Sequence, residues 1–454
     1  MFNFRLLLLL QILTIVKSEL SIPTLPKVRL LHSSILVDKK LYIFGGFRDN
    51  SFSDTIESTY NLYPDDRFFY LDVSKPFDTS KLPWTAIKDN KNLPLNNFSS
   101  VLSGGVAASY GGNNNDTIYF INNELDKTLP PVLTFNTSDY SWNSLSQQNI
   151  TGDIPIGRNQ MKPITDRNGK IYLLAGFNFT TLQNAKRNGG MFIFDTINSS
   201  CVLNYHDIYT RMLRVEYSAT LLLNDIIVYM GGKGSDGTNF TDGFSTVYLY
   251  YTNNSTWASK PTTGSIPKGD NGISSVLGLD GFRIIVFCGV DIDNKMLYVL
   301  DTTNYNWSEP NVSGKGPIMK RFDHTGNVIG KYMVIAFGSG PGLDFNYREE
   351  GESDVLLLDI GDPSNYTWTT YFDSDAAIPL PRQQQQYNNK NNTRIIIGVV
   401  FGVLGMICIT SLSIFFFIKR RKKSLNETTF PIPDNGENVK SDLEISSRAS
   451  GSSY

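Results

Sequence analysis

An apolar strand that stops on glycine recurs along this chain at intervals of roughly 50 to 60 residues, and an internal repeat of that period leaves few folds open. "LYIFGG" starts at Leu41, "IYLLAGF" at Ile171, "IIVYMGG" at Ile226, "IIVFCGV" at Ile284 and "MVIAFGS" at Met333. A weaker copy, "TIYFINN" at Thr117, keeps the apolar run and carries Asn122 and Asn123 in place of the glycines. The repeat glycines are Gly45 and Gly46, Gly176, Gly231 and Gly232, Gly289, and Gly338. Without a Cβ they can take positive φ and let backbone or large side chains crowd close.

Each copy is followed by a second apolar run: "FFYLDV" at 68, "PVLTFNT" at 131, "MFIFDT" at 191, "VYLYYT" at 247, "LYVLDT" at 297 and "VLLLDI" at 355. A tryptophan comes next in five copies, at Trp84, Trp142, Trp257, Trp307 and Trp368. From Asn136, Tyr251 and Asp301 the step to tryptophan is six residues, and the same step from Asp195 lands on Cys201, read as a buried filler at the tryptophan position. These runs are short, rich in β-branched and aromatic residues, and bounded by Gly, Asn and Asp, which predicts strands rather than helices. Apolar residues on both faces of the inner strands imply a sheet covered on each side, as in radially stacked four-stranded blades. One tryptophan per repeat can bury about 200 Å² between blades.

With the Arg-x-x-His/Tyr segments "RLLHSS" at 29, "RVEYSA" at 214 and "RFDHTG" at 321, the pattern over about residues 27–372 resembles the kelch-repeat family of β-propellers. The resemblance implies an all-β fold, a kelch-type β-propeller of six blades by repeat count. A seventh is the alternative if a diverged blade hides in "ELSIPTLPKV" or in the insert at 48–66, and residues 19–28 are expected to close the ring as an added strand. Some kelch-type propellers are copper oxidases similar to galactose oxidase, with a site of two His and two Tyr, one Tyr cross-linked to Cys. This chain has only His32, His206 and His324, and Cys201 and Cys288 both fall at repeat-core positions, so no catalytic, cofactor-binding or metal-ligating residue is assigned and the chain reads as a non-enzyme. His32 and His324 fall at equivalent positions and are expected to hydrogen-bond within their own blades.

The two ends set the expected compartment. "MFNFRLLLLLQILTIVKS" has the layout of a signal peptide over residues 1–18. Residues 395–418 carry no charge and precede "KRRKK", which predicts one transmembrane α-helix with its basic flank in the cytoplasm. The domain reading is therefore a propeller ectodomain at 19–379, a polar stalk at 380–394, the span at 395–418 and a disordered tail at 419–454. Asn-x-Ser/Thr acceptors crowd the outer part, at Asn97, Asn115, Asn136, Asn149, Asn178, Asn198, Asn239, Asn253, Asn254, Asn306, Asn311, Asn365 and Asn391. Three cysteines, Cys408 among them inside the span, exclude a disulfide scaffold. A net charge of −2 gives no reason to expect nucleic acid.

Other motifs carry less. "GGKGSDGTNFTDG" at 231–243 has no helix behind it to cradle phosphate, and "DIDN" at 291–294 lacks the rest of a calcium loop. "GVVFG" at 398–402 would allow the membrane helix to pair with a second copy. The expected function is a type I single-pass plasma-membrane protein whose glycosylated propeller recognises an extracellular or luminal protein or glycan through blade-connecting loops, with an adhesion spacer as the reading if no ligand binds.

Overall fold

A computed structural model describes residues 25–46, 68–87, 107–122, 130–155, 161–174, 190–204, 214–234, 243–268, 272–287, 289, 295–340 and 346–376. All lie in the first of the two units into which the chain divides, Met1–Gln385. The signal sequence, stalk, span and tail expected at 1–18, 380–394, 395–418 and 419–454 lie outside the described residues, as do Gly176, His206, Cys288, Asn97, Asn178, Asn239 and Asn391. Among the described residues no helix is long and apolar enough to cross a membrane.

The repeat folds as six four-stranded antiparallel blades. Blade 1 runs Ser33–Val37, Lys40–Phe44, Phe68–Asp72 and Trp84–Ala86, and blade 2 runs Ala107–Gly111, Thr117–Ile121, Val132–Asn136 and Trp142–Leu145. Blade 3 is Ile164–Thr165, Lys170–Leu174, Met191–Asp195 and Ser200–Asn204; blade 4 is Ser218–Leu221, Ile226–Met230, Thr246–Tyr251 and Thr256–Pro261. Blade 5 is Ser274–Leu277, Arg283–Phe287, Leu297–Asp301 and Asn306–Ser308; blade 6 is Thr325–Ile329, Tyr332–Ala336, Val355–Asp359 and Tyr366–Thr369. Each inner strand lies against the inner strand of the next blade, and Ser33–Val37 lies against Thr325–Ile329, which closes the ring.

Because a strand alternates its side chains, each second strand feeds two seams. Tyr42 and Phe44 pack towards blade 2 with Phe120, Phe135 and Trp142, while Leu41 and Ile43 pack towards blade 6 with Val334 and Leu357. The core is therefore six clusters, one per seam. The once-per-repeat aromatic fills each seam: Trp84 joins the blade 6–1 cluster, Trp142 the 1–2 cluster and Trp307 the 4–5 cluster. Trp257 and Trp368 flank the 3–4 and 5–6 clusters. Cys201 pairs with Phe194 as Trp307 pairs with Leu300, and it sits in the 2–3 cluster.

In every blade but the fourth the third strand ends on Asp or Asn, because the turn that follows needs a side-chain acceptor. Asp72 Oδ1 accepts from the Ser74 amide at 2.9 Å, Asp301 Oδ1 from Thr303 at 2.8 Å and Asp359 Oδ1 from Gly361 at 2.9 Å.

Glycine ends the second strand for a reason of space. In blade 1 the guanidinium of Arg29 donates through Nη1 to the Gly45 carbonyl at 3.0 Å, in blade 4 Arg214 donates to Gly231 at 2.9 Å, and in blade 6 Arg321 to Phe337 at 3.5 Å. The buried arginine segment therefore lies against the strand end. A Cβ on Gly232, at φ +84°, would stand 2.7 Å from the Val215 carbonyl oxygen and 2.9 Å from Tyr217 Cβ.

Two features differ from expectation. Of the added strand expected at 19–28, residues 19–24 lie outside the described residues, and 25–29 form no strand. They cannot complete blade 6, whose outer edge is already taken by Val312–Ser313, paired parallel to Tyr366–Thr369. Instead the Arg29 carbonyl accepts from the Gly338 amide at 2.9 Å, and Tyr371–Phe372 pairs with Phe77–Asp78 of the blade 1 outer connection. The parallel pairing itself is the second feature and it recurs: Thr151–Gly152 pairs with Ser200–Cys201 of blade 3, and Thr263–Gly264 with Asn306–Trp307 of blade 5. In both, the chain leaving one blade staples to the outer strand of the next.

Candidate functional site

The inner strands enclose a central channel of about 480 Å³. They begin on small or hydroxyl residues, Ser33, Ala107, Ser218, Ser274 and Thr325, and Lys162 holds the matching position in blade 3. The hydroxyls lace adjacent blades together. Ser109 and Thr165 meet at 2.6 Å across the 2–3 seam, Ser218 and Ser275 at 2.5 Å across the 4–5 seam, and Asn327 Nδ2 donates to Ser34 Oγ at 2.5 Å across the closing seam.

His32 and His324 belong to this belt. His32 Nε2 meets Thr325 Oγ1 at 2.9 Å and His324 Nε2 meets Ser274 Oγ at 2.8 Å. Both bonds cross a blade seam, whereas bonds within the blade were expected; the reason is that the residues facing them on the neighbouring inner strand are hydroxyls at bonding distance. Burial, reinforced by Arg29, Lys162 and His324, holds His32 well below the usual imidazole range, and burial with Lys162 and Arg321 pushes His324 down to about 3.

Two residues before the inner strands of blades 1, 4, 5 and 6 the backbone turns left-handed, at Leu31 (φ 53°), Glu216 (56°), Gly272 (66°) and Asp323 (54°). Three of these are not glycine, and such conformations persist only where the surroundings enforce them. Here the backbone does so: the Leu31 amide donates to the Asp323 carbonyl at 3.0 Å, and the Asp323 amide to the Gly272 carbonyl at 2.9 Å. Glu216, Asp323 and Lys162 all line the channel. Burial lowers the Lys162 ammonium, while the nearby Asp323 and Glu216 carboxylates act the other way. The arrangement is a charged rim of both signs over a hydroxyl-lined shaft, suited to hydrogen bonding and ion pairing rather than to nucleophilic chemistry. Among the described residues no group of His, Cys, Asp and Glu could hold a metal ion.

The repeat tryptophans sit in or beside the seams and not at this rim, while Gly46, Gly232 and Gly338 lie against the arginine segments that lead into the inner strands. Sequence reading missed Lys162, Glu216 and Asp323. The available signal was register: aligned on the second strands, Lys162 is the charged residue at a position that five other repeats give to Ser, Thr or Ala.

Six blades of this build around a polar channel define a β-propeller. Among known proteins, residues 216–428 match the KLHDC2/KLHL20/DRC7 Kelch-repeats domain, a likeness to kelch repeats over that part of the chain. Over 98 residues, 21% of this chain, it is 33% identical to the Rho GTPase-activating protein gacHH of Dictyostelium discoideum, and the match spans only 6% of that relative's length. The solved structure titled "Structure of YjhT" superposes with a TM-score of 0.51 at 14% identity, over 76% of this chain and 99% of that chain, a likeness of fold.

Proposed function

We propose that this chain is a type I single-pass plasma-membrane protein that presents its glycosylated kelch propeller outside the cell to recognise a protein or glycan, the ligand engaging the channel rim and the loops around it. The observation that carries the reading is the rim itself: Lys162, Glu216 and Asp323 line one channel, with Asp323 on backbone fixed by inter-blade bonds and the Lys162 amide donating to the Tyr217 hydroxyl of blade 4 at 3.3 Å, so binding costs little ordering. A signal sequence at 1–18 and a span at 395–418 support the placement.

The test uses full-length protein in detergent, probed on peptide and glycan arrays beside a Lys162→Glu variant. A saturable ligand whose affinity falls about tenfold or more, ~1.4 kcal/mol, in the variant supports the reading. Saturable binding unchanged by Lys162→Glu moves the site elsewhere, and binding to neither array favours an adhesion spacer. A tag at Tyr454 should be reachable by antibody only after permeabilisation. Replacing Gly402 with Leu should weaken self-association if the span pairs with a second copy.

A further inference from the structure

We infer that N-linked oligosaccharide on the described residues is carried by one side of the propeller, the side of the short hairpin turns. This rests on the secretory placement proposed above. In each blade the antiparallel order puts the turn between first and second strands and the turn between third and outer strands at the same end, and the remaining connections at the other.

Nine Asn-x-Ser/Thr acceptors fall on described residues, and all nine lie in or against those short turns. Asn115 is in the first turn of blade 2 and Asn198, Asn253, Asn254 and Asn365 in third-to-outer turns. Asn136 and Asn306 end or begin the strands that flank such turns. Asn149 and Asn311 precede the staples and abut the same turns: the Thr151 amide donates to the Ser199 carbonyl at 3.0 Å, and Asn311 Nδ2 to the Ser364 carbonyl at 3.3 Å. Seven of the nine are exposed, and Asn136 and Asn306 are half-buried. Asn97, Asn178 and Asn239 lie outside the described residues.

The chemistry is compatible with the fold. Asparagine Nδ2 forms a bond to the anomeric carbon of an oligosaccharide carried on a lipid pyrophosphate. The carbon–oxygen bond to pyrophosphate breaks, pyrophosphate leaves with the electron pair, and Nδ2 loses one proton. One N–H remains, so the bonds that Asn198 makes to Asp195 at 2.9 Å and Asn365 to Ser313 at 3.1 Å can survive modification. The sugar then shields the turn side.

The experiment is site-resolved occupancy on the full-length chain purified from eukaryotic cells. Peptide N-glycosidase releases the glycans in ¹⁸O water, and mass spectrometry reads the labelled aspartates. The expected result is label at Asn115, Asn149, Asn198, Asn311, Asn365 and one of the adjacent pair Asn253 and Asn254, with less at Asn136 and Asn306. Label confined to Asn97, Asn178, Asn239 or Asn391 would overturn the inference while leaving the secretory placement intact. Absence of label at every acceptor, in a chain that also resists glycosidase shift on a gel, would sink both.

Discussion

At Gly232 a methyl group has nowhere to go, since its Cβ would meet the Val215 carbonyl and Tyr217 at positive φ. Gly232→Ala should therefore cost roughly 3 kcal/mol in urea unfolding of the purified protein. The preceding position is more forgiving, because blade 6 places Phe337 there at φ 52°. Gly231→Ala should cost only about 1 kcal/mol, and equal costs at the two sites would contradict this account of the glycine pair. Cys201 is the other residue with a measurable consequence. Its burial in the seam pushes the thiol up to about 12, so little thiolate exists near neutral pH. Iodoacetamide should leave the Cys201 peptide unmodified in native protein and alkylate it once urea unfolds the chain; prompt native labelling would place it outside the seam.

At the scale of elements, the staples explain how the outer strands of blades 3, 5 and 6 avoid an open edge. Two residues leaving one blade cover the outer strand of the next, and the glycine in each permits close approach: a Cβ on Gly264 would stand 2.2 Å from the Trp307 carbonyl oxygen. Gly264→Ala should detach Thr263–Gly264 and raise hydrogen exchange in Asn306–Ser308, with Ser274–Leu277 unchanged. Uniform exchange across blade 5 would mean instead that the whole blade had loosened. The strands were legible in the sequence because their apolar runs are continuous and punctuated by glycine and by Asp or Asn. Tryptophan spacing even located Cys201. The staples were not legible, since two residues carry no periodicity, although "TGDIP" at 151 and "TGSIP" at 263 repeat the signal. The rim was missed for a related reason: Lys162, Glu216 and Asp323 are far apart in sequence, and only closure of the ring brings them to one channel.

For the whole molecule the closing seam joins the first blade to the last, and it holds an imidazole. His32 bonds Thr325 across it, and His324 bonds Ser274 across the seam before it. Both are kept neutral by burial, with Arg29, Lys162 and Arg321 nearby, while in the unfolded chain each would titrate near 6.5. As pH falls below that value the unfolded state takes up protons that the folded state refuses. The stability these residues contribute is therefore full above about 6.5 and declines towards about 3, where folded His324 itself titrates. The melting temperature should drop between pH 7 and pH 5, and the drop should shrink in the double variant His32→Gln, His324→Gln. An unchanged slope would assign the acid sensitivity to carboxylates instead.

Closure also decides how the ring would bear a load. The chain leaves blade 6 through Tyr371–Phe372, and that pair is hydrogen-bonded to Phe77–Asp78 of blade 1, with Phe372 stacked on Phe77 at 4.8 Å. Tension drawn through the chain after Ala376 is thus shared between the first and last blades from the outset. A pull that would peel a single blade from an open array instead draws the two ends of this ring together, so the connection that fails first is a two-residue clasp and not a blade.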